Sequence, residues 1–153
     1  PSAQLNIGLY YQARNQLALA EDAYARALEL DPYFIGAYIN LADLYRASMR
    51  DPMAETLLNK GLEALPEAAP LHFSLGLLKV RSKNMADALI ELRRAVVLDP
   101  QNAHYRYVLA VALDSADQRD AALALIAEGL DLTPANQTLL TLQQQLQNKD
   151  ATQ

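Results

Sequence analysis

Apolar positions recur along this chain at steps of three and four, the spacing that places side chains on one face of an α-helix. Leu17, Ala20, Tyr24, Ala27 and Leu28 make one such run. Polar residues interrupt the runs at Asn15-Gln16, Lys83-Asn84 and Asp117-Gln118. At Met49-Arg50-Asp51-Pro52 the proline falls near a helix start, where its missing N–H matters little. Pro32, Pro66, Pro100 and Pro134 follow the second run of each pair, where the ring cannot continue a helix. The pattern predicts first helices at about 3–14, 35–48, 69–82 and 103–116, and second helices at about 18–30, 52–64, 86–98 and 120–132.

Those four prolines are each 34 residues apart. Other columns keep the same step. One reads Ile7, Leu41, Leu75, Leu109, and the next Gly8, Ala42, Gly76, Ala110. Further on come Ala20, Ala54, Ala88, Ala122, then Tyr24, Leu58, Leu92, Ile126, then Ala27, Gly61, Ala95, Gly129. The register holds without an insertion, so the chain is read as an array of two-helix units. Small residues at fixed places allow close helix approach, and large ones fill the space between. No unit buries its apolar stripe alone, so stability is expected to come from stacking.

The period and the columns resemble the tetratricopeptide repeat (TPR). The resemblance implies an all-α fold: a right-handed superhelical α-solenoid of four helix-turn-helix repeats with a C-terminal capping helix. The array would be a single unit over 1–148, with repeats at about 1–34, 35–68, 69–102 and 103–134 and the cap at about 135–148. Leu139, Leu142 and Leu146 share one face of that cap, and Gln143, Gln144 and Gln147 lie largely off it, as a terminal element requires. Residues 149–153 are expected to fray. The bulky aromatic that opens the family motif is Gln4, Tyr38, His72 and Arg106 here, and the aromatic pair Tyr11 and Tyr45 gives way to Lys79 and Leu113. The third and fourth repeats therefore lack their usual aromatic contacts.

In this family the stacked first helices line a concave groove that commonly holds a peptide. Carried over to this chain, Leu5, Leu9, Ile39, Phe73, Leu77, Tyr107 and Val111 form an apolar floor. A contiguous apolar patch of that kind usually marks an interface. Asn6 and Asn40 stand one repeat apart, and each amide can donate to and accept from a peptide backbone. Arg46 and Arg81 can clamp a carboxylate bidentately, while Asp43 opposes a simple anion site. Asp43 with Arg46 is equally an ordinary same-helix ion pair. The chaperone-binding branch of the family grips a C-terminal carboxylate with Lys and Asn on its first inner helices. Leu5 and Leu9 occupy that region here, which disfavours that activity.

Composition narrows the function further. The 153 residues carry a net charge of -5, which argues against general nucleic-acid binding. Without Cys the chain has no disulfide, no thiolate zinc site and no attachment point for covalent haem. His72 and His104 lack partners at metal-ligand spacing, and no nucleophile elbow, Walker loop or dinucleotide fingerprint occurs, so neither a metal, a cofactor nor catalysis is expected. The longest apolar runs, such as Tyr107–Leu113, are far too short to span a bilayer. The expected partner is a protein or peptide, with self-association left open. The start at Pro1 rather than Met leads to the expectation of a fragment or processed product. The stretches 40–46, 75–81 and 105–113 also resemble the TPR region that follows the haem-binding part of some bacterial multihaem c-type cytochromes. That resemblance implies a periplasmic scaffold docking within its own chain or to a redox partner. Without it, a cytoplasmic adaptor is expected.

Overall fold

The computed structural model describes residues 1–150, which form helices and no strand. Four hairpins follow one another: α1 (Ser2–Ala13) with α2 (Leu17–Leu30), α3 (Ile35–Ala47) with α4 (Asp51–Ala64), α5 (Ala69–Arg81) with α6 (Met85–Leu98), and α7 (Ala103–Ser115) with α8 (Arg119–Leu132). A ninth helix, α9 (Gln137–Asp150), closes the array. This is the expected α-solenoid. Of the tail expected at 149–153, residues 149 and 150 belong to the last turn of α9, and 151–153 lie outside the described residues. No helix among the described residues is long and apolar enough to cross a membrane.

Each hairpin turns on one residue in the left-handed region. These are Asn15, Met49, Lys83 and Asp117, with φ of 58, 58, 60 and 57°. The turns are alike in their hydrogen bonds. The N–H of Gln16 donates to Tyr11 O, and that of Asn15 to Gln12 O. The same pair of bonds recurs at Arg50 and Met49, at Asn84 and Lys83, and at Gln118 and Asp117. This is the Schellman geometry, which satisfies the last carbonyls of the first helix and normally uses Gly. Between hairpins the residue before each proline is held out of the helical region, as at Asp31 (φ -148°) and Asp99 (φ -133°), because the proline ring crowds it.

Close approach within a hairpin depends on paired columns. A Cβ on Gly8 would lie 2.3 Å from the Tyr24 ring, and one on Gly76 would lie 2.7 Å from Leu92 Cγ. The second pairing sets Gly61 against the Tyr38 ring and Gly129 against Arg106, where a Cβ would meet atoms at 3.1 and 2.3 Å. Large residues on one helix thus stand opposite glycine on the other.

The column that departs from the family aromatic keeps one task. The Tyr38 hydroxyl donates to Pro32 O at 3.1 Å, His72 Nε2 meets Pro66 O at 3.0 Å, and Arg106 Nη2 donates to Pro100 O at 3.0 Å. Three unlike side chains thus reach back six residues to tie down the turn before their own helix. Arg106 is only 4% exposed, and it also reaches Leu125 O and Glu128. A buried guanidinium is tolerable only with such partners. His72 Nδ1 stands 2.7 Å from Glu91 Oε2, so both ring nitrogens face acceptors.

The second departure is also compensated. Tyr45 donates to Glu21 at 3.0 Å, and one repeat later Lys79 donates to Glu55 at 2.6 Å. In the next repeat the corresponding residues, Leu113 and Leu89, lie in one buried cluster. A polar tie between neighbouring repeats has become an apolar one. The repeats that lack the aromatics still bury a core: the cluster spanning α5 to α9 is the largest of the three.

Stacking decides burial. Leu41, Leu75 and Leu109 are 2–3% exposed, each beneath the preceding repeat, while Ile7 in the same column is 41% exposed. First helices also pack on one another, α1 on α3, α3 on α5 and α7 on α9, and so form the inner layer. The second helices form the outer layer.

Two outcomes are expected. Lys83 is exposed and bears φ 60°, a conformation disfavoured by about 1 kcal/mol for L-residues. Lys83→Gly should raise stability by about 0.5–1 kcal/mol in urea unfolding and Lys83→Val should lower it; the opposite order would show that the turn imposes no strain. Burial, then the Glu21 hydrogen bond and charge, push the Tyr45 phenol from 10.0 up to about 12, against a lowering by Arg50. Folding favours the neutral phenol. Its contribution is full below pH 10 and vanishes as pH rises from 10.0 to about 12. Tyr45→Phe should therefore lose less stability than the parent across that window, and equal losses would refute the assignment.

Candidate functional site

The residues expected at the groove lie on α1, α3, α5 and α7, but not all of them are available. Leu9 (43% exposed) and Val111 (39% exposed) are open apolar positions at opposite ends. Asn6 is exposed as well. Leu5 is half-buried and packs with the first core cluster. Ile39 is half-buried against the second. Leu77 is half-buried too.

Phe73 does more than line a floor. Its ring stacks on Tyr105 at 4.4 Å and meets His104 edge-on at 5.3 Å, so it bridges α5 and α7. It is half-buried and joins two repeats.

The polar residues are mostly engaged within the chain. Asn40 Nδ2 donates to Gly36 O at 2.7 Å, turning that amide back on its own helix. Arg46 is held by Asp43 at 2.6 Å, the same-helix pair. Arg81 Nε donates to Asp51 at 2.9 Å, and its Nη2 lies 2.8 Å from Met49 Sδ. Arg46 and Arg81 are thus partnered separately and do not converge on a shared carboxylate site. Exposed ion pairs of this kind are worth only about 0–1 kcal/mol, so a ligand carboxylate can still compete for either arginine.

One hollow lies where α7 meets α9. A cleft of ≈ 530 Å³ is lined by Tyr107, Val111 and Asp114 of α7 and by Leu142, Gln145, Leu146 and Asn148 of α9. A neighbouring hollow of ≈ 330 Å³ shares Tyr107, Leu142 and Gln145 and continues over Gln137, Thr138 and Thr141. Asp114 is bonded to Arg119 at 2.8 Å. The closing helix therefore builds one wall of the groove's end, a role sequence reasoning missed. The only signal was the interleaving of Gln145 with the packing residues Leu142 and Leu146. The site offers aliphatic and phenolic surface, amide groups and one carboxylate, which suits an extended peptide with apolar side chains.

Comparison with known proteins bears on this geometry. Residues 1–34 match the family described as tetratricopeptide repeat. The first repeat thus carries that family's motif, and the described chain as a whole has the fold of a TPR solenoid. Its fold is similar to that of PilF from Pseudomonas aeruginosa, at TM-score 0.81 and 21% identity over 99% of this chain and 69% of that one. It is also similar to TTC0263, a thermophilic TPR protein of Thermus thermophilus, at TM-score 0.77 and 21% identity over 94% and 79%. The crystal structure of MamA matches at TM-score 0.71 and 18% identity over 95% of both chains. The human protein O-mannosyl-transferase TMTC3 is 27% identical over 90% of this chain but only 17% of its own length. The TPR array thus spans about a sixth of that relative. The cytochrome resemblance has no counterpart among these proteins. TPR folds commonly mediate protein–protein interaction, and TPR scaffolds are generally non-catalytic.

Proposed function

We propose that this TPR array is a non-catalytic interaction module that binds an extended peptide or protein segment in its concave groove. The reading is carried by the cleft between α7 and α9, where exposed Val111 and half-buried Tyr107 stand over the buried Leu142 and Leu146. Apolar surface left open on the inner layer, as at Leu9 and Val111, is the kind of surface partners cover. Leu9 extends the same character to the far end. Tyr107 supplies a rigid ring with a polar tip, the combination favoured at binding hot spots. Asn6 and Gln145 supply amides that can pair with a peptide backbone without reading its side chains.

A clean test avoids Phe73, because an acid there would also break its stack on Tyr105. Leu9→Asp and Val111→Asp change exposed positions instead. Proteins captured by the immobilised native array and identified by mass spectrometry give the binding set. Each variant is expected to keep its helical signal and to unfold within about 0.5 kcal/mol of the parent, as exposed substitutions do. Capture of the major partner should fall about tenfold or more, the loss expected when a hot-spot contact is removed. Undiminished capture by both variants would rule out the groove.

A further inference from the structure

The repeat supplies its own control for the outer layer. In the second helices, the column that ends the outward face reads Glu29, Glu63, Val97 and Asp131. Seven positions earlier it reads Asp22, Thr56, Ile90 and Ala124. Only α6 places large aliphatic residues at both positions, and both are open to solvent: Ile90 is 63% exposed and Val97 69%. Between them stand Arg93 and Arg94, also exposed. The patch is therefore basic and apolar on a chain of net charge -5.

Packing does not explain it. Neither arginine makes a salt bridge among the described residues; Arg93 has only a long, 3.5 Å contact to Gln118. The nearby carboxylate, Glu91, is held by His72 at 2.7 Å. The same residues line a shallow cleft of ≈ 520 Å³ over the α5–α6 hairpin. Lys60 and Arg26, one and two repeats earlier in the Arg94 column, likewise make no salt bridge among the described residues, but neither is flanked by two exposed aliphatics at the 90 and 97 places. The α6 face differs from its neighbours in carrying two arginines between two exposed aliphatics and no carboxylate at the column that reads Glu29, Glu63 and Asp131 elsewhere.

We propose that the outer face of α6 is a second docking surface, and that its occupant is an acidic segment of a partner protein carrying aliphatic side chains. Charge complementarity selects the acid, and the two exposed aliphatics select the apolar contacts. Ile90 and Val97 lie two helical turns apart, about 10 Å, with the arginines between them. A helical segment with two leucines seven residues apart and glutamates between them matches that layout. This surface lies on the opposite layer from the concave groove and is independent of it, so the array can hold two partners at once.

The test uses the full chain and a labelled 15-residue helical probe peptide with that Leu–Glu pattern, read by fluorescence anisotropy. Val97→Glu and Ile90→Thr each install a residue that another repeat already carries at the same place, so both keep the fold. The probe is expected to bind at low salt and to weaken as salt rises. Val97→Glu and Arg94→Glu should each raise its Kd about tenfold or more, the scale of losing one well-desolvated contact. A peptide with Lys in place of Glu should not bind, and Leu9→Asp should leave the affinity unchanged. No binding of the acidic probe, or binding indifferent to both α6 variants, overturns the proposal. Two rival occupants would overturn it as well. One is an anionic vesicle of phosphatidylglycerol that binds the array and is released by Val97→Glu. The other is a second copy, revealed if the same variant abolishes self-association in sedimentation.

Discussion

The close approach of the two helices within each hairpin is the constraint on which the rest of this molecule depends. It is enforced by opposed columns of small and large residues. Where Tyr24 fills the space from α2, only Gly8 fits on α1, because any Cβ there would lie 2.3 Å from the ring. The same place is filled by Ala42 with Leu58, Gly76 with Leu92 and Ala110 with Ile126. Each buried aliphatic of this kind contributes about 1.5–3 kcal/mol by leaving water. That gain requires contact, and contact requires the small partner. Once the hairpins are closed, their faces are flat enough to stack, and stacking buries what a hairpin alone cannot.

Around this frame the chemistry of a contact is free to vary while its place is kept. Tyr38, His72 and Arg106 all satisfy the carbonyl of the proline six residues before them. Larger members of that column meet Gly61 and Gly129, so the choice of side chain on one helix is linked to room on the other. Tyr45 with Glu21, Lys79 with Glu55 and the buried Leu113 and Leu89 occupy one inter-repeat position by three different means. A repeat can therefore drift in sequence without losing its stacking geometry. Positions outside the frame, on the inner floor and the outer faces, carry no such obligation, and it is there that partners can be selected.

Most of the fold was legible in the sequence, because it is carried by strict columns. The prolines, the small residues and the turn residues recur at one step, and each recurrence has a local cause. The groove was only partly legible. Periodicity places Leu9, Phe73 and Arg81 on inner faces, but it does not say what else those side chains touch. Phe73 is spent on Tyr105, Asn40 on its own helix and Arg81 on Asp51. These are pairings between elements, or within one turn, that depend on side-chain direction. The wall supplied by α9 was hidden for the same reason, since its packing leucines also face the groove. The compensations at His72, Arg106 and Leu113 were likewise invisible along the chain, because each partner lies in another turn or another helix.

The central claim is that opposed columns, rather than either residue alone, set the helix approach. A double-mutant cycle at Gly8 and Tyr24 tests it most directly, with stability measured by urea unfolding. Gly8→Ala alone should cost about 2 kcal/mol through overpacking, and Tyr24→Leu alone a similar amount through the lost volume and its hydroxyl bond to Gln12. Together they recreate the Ala42–Leu58 pair of the second repeat, so the double variant should be more stable than the sum predicts by about 1–2 kcal/mol. Additive losses, within about 0.5 kcal/mol, would contradict the account.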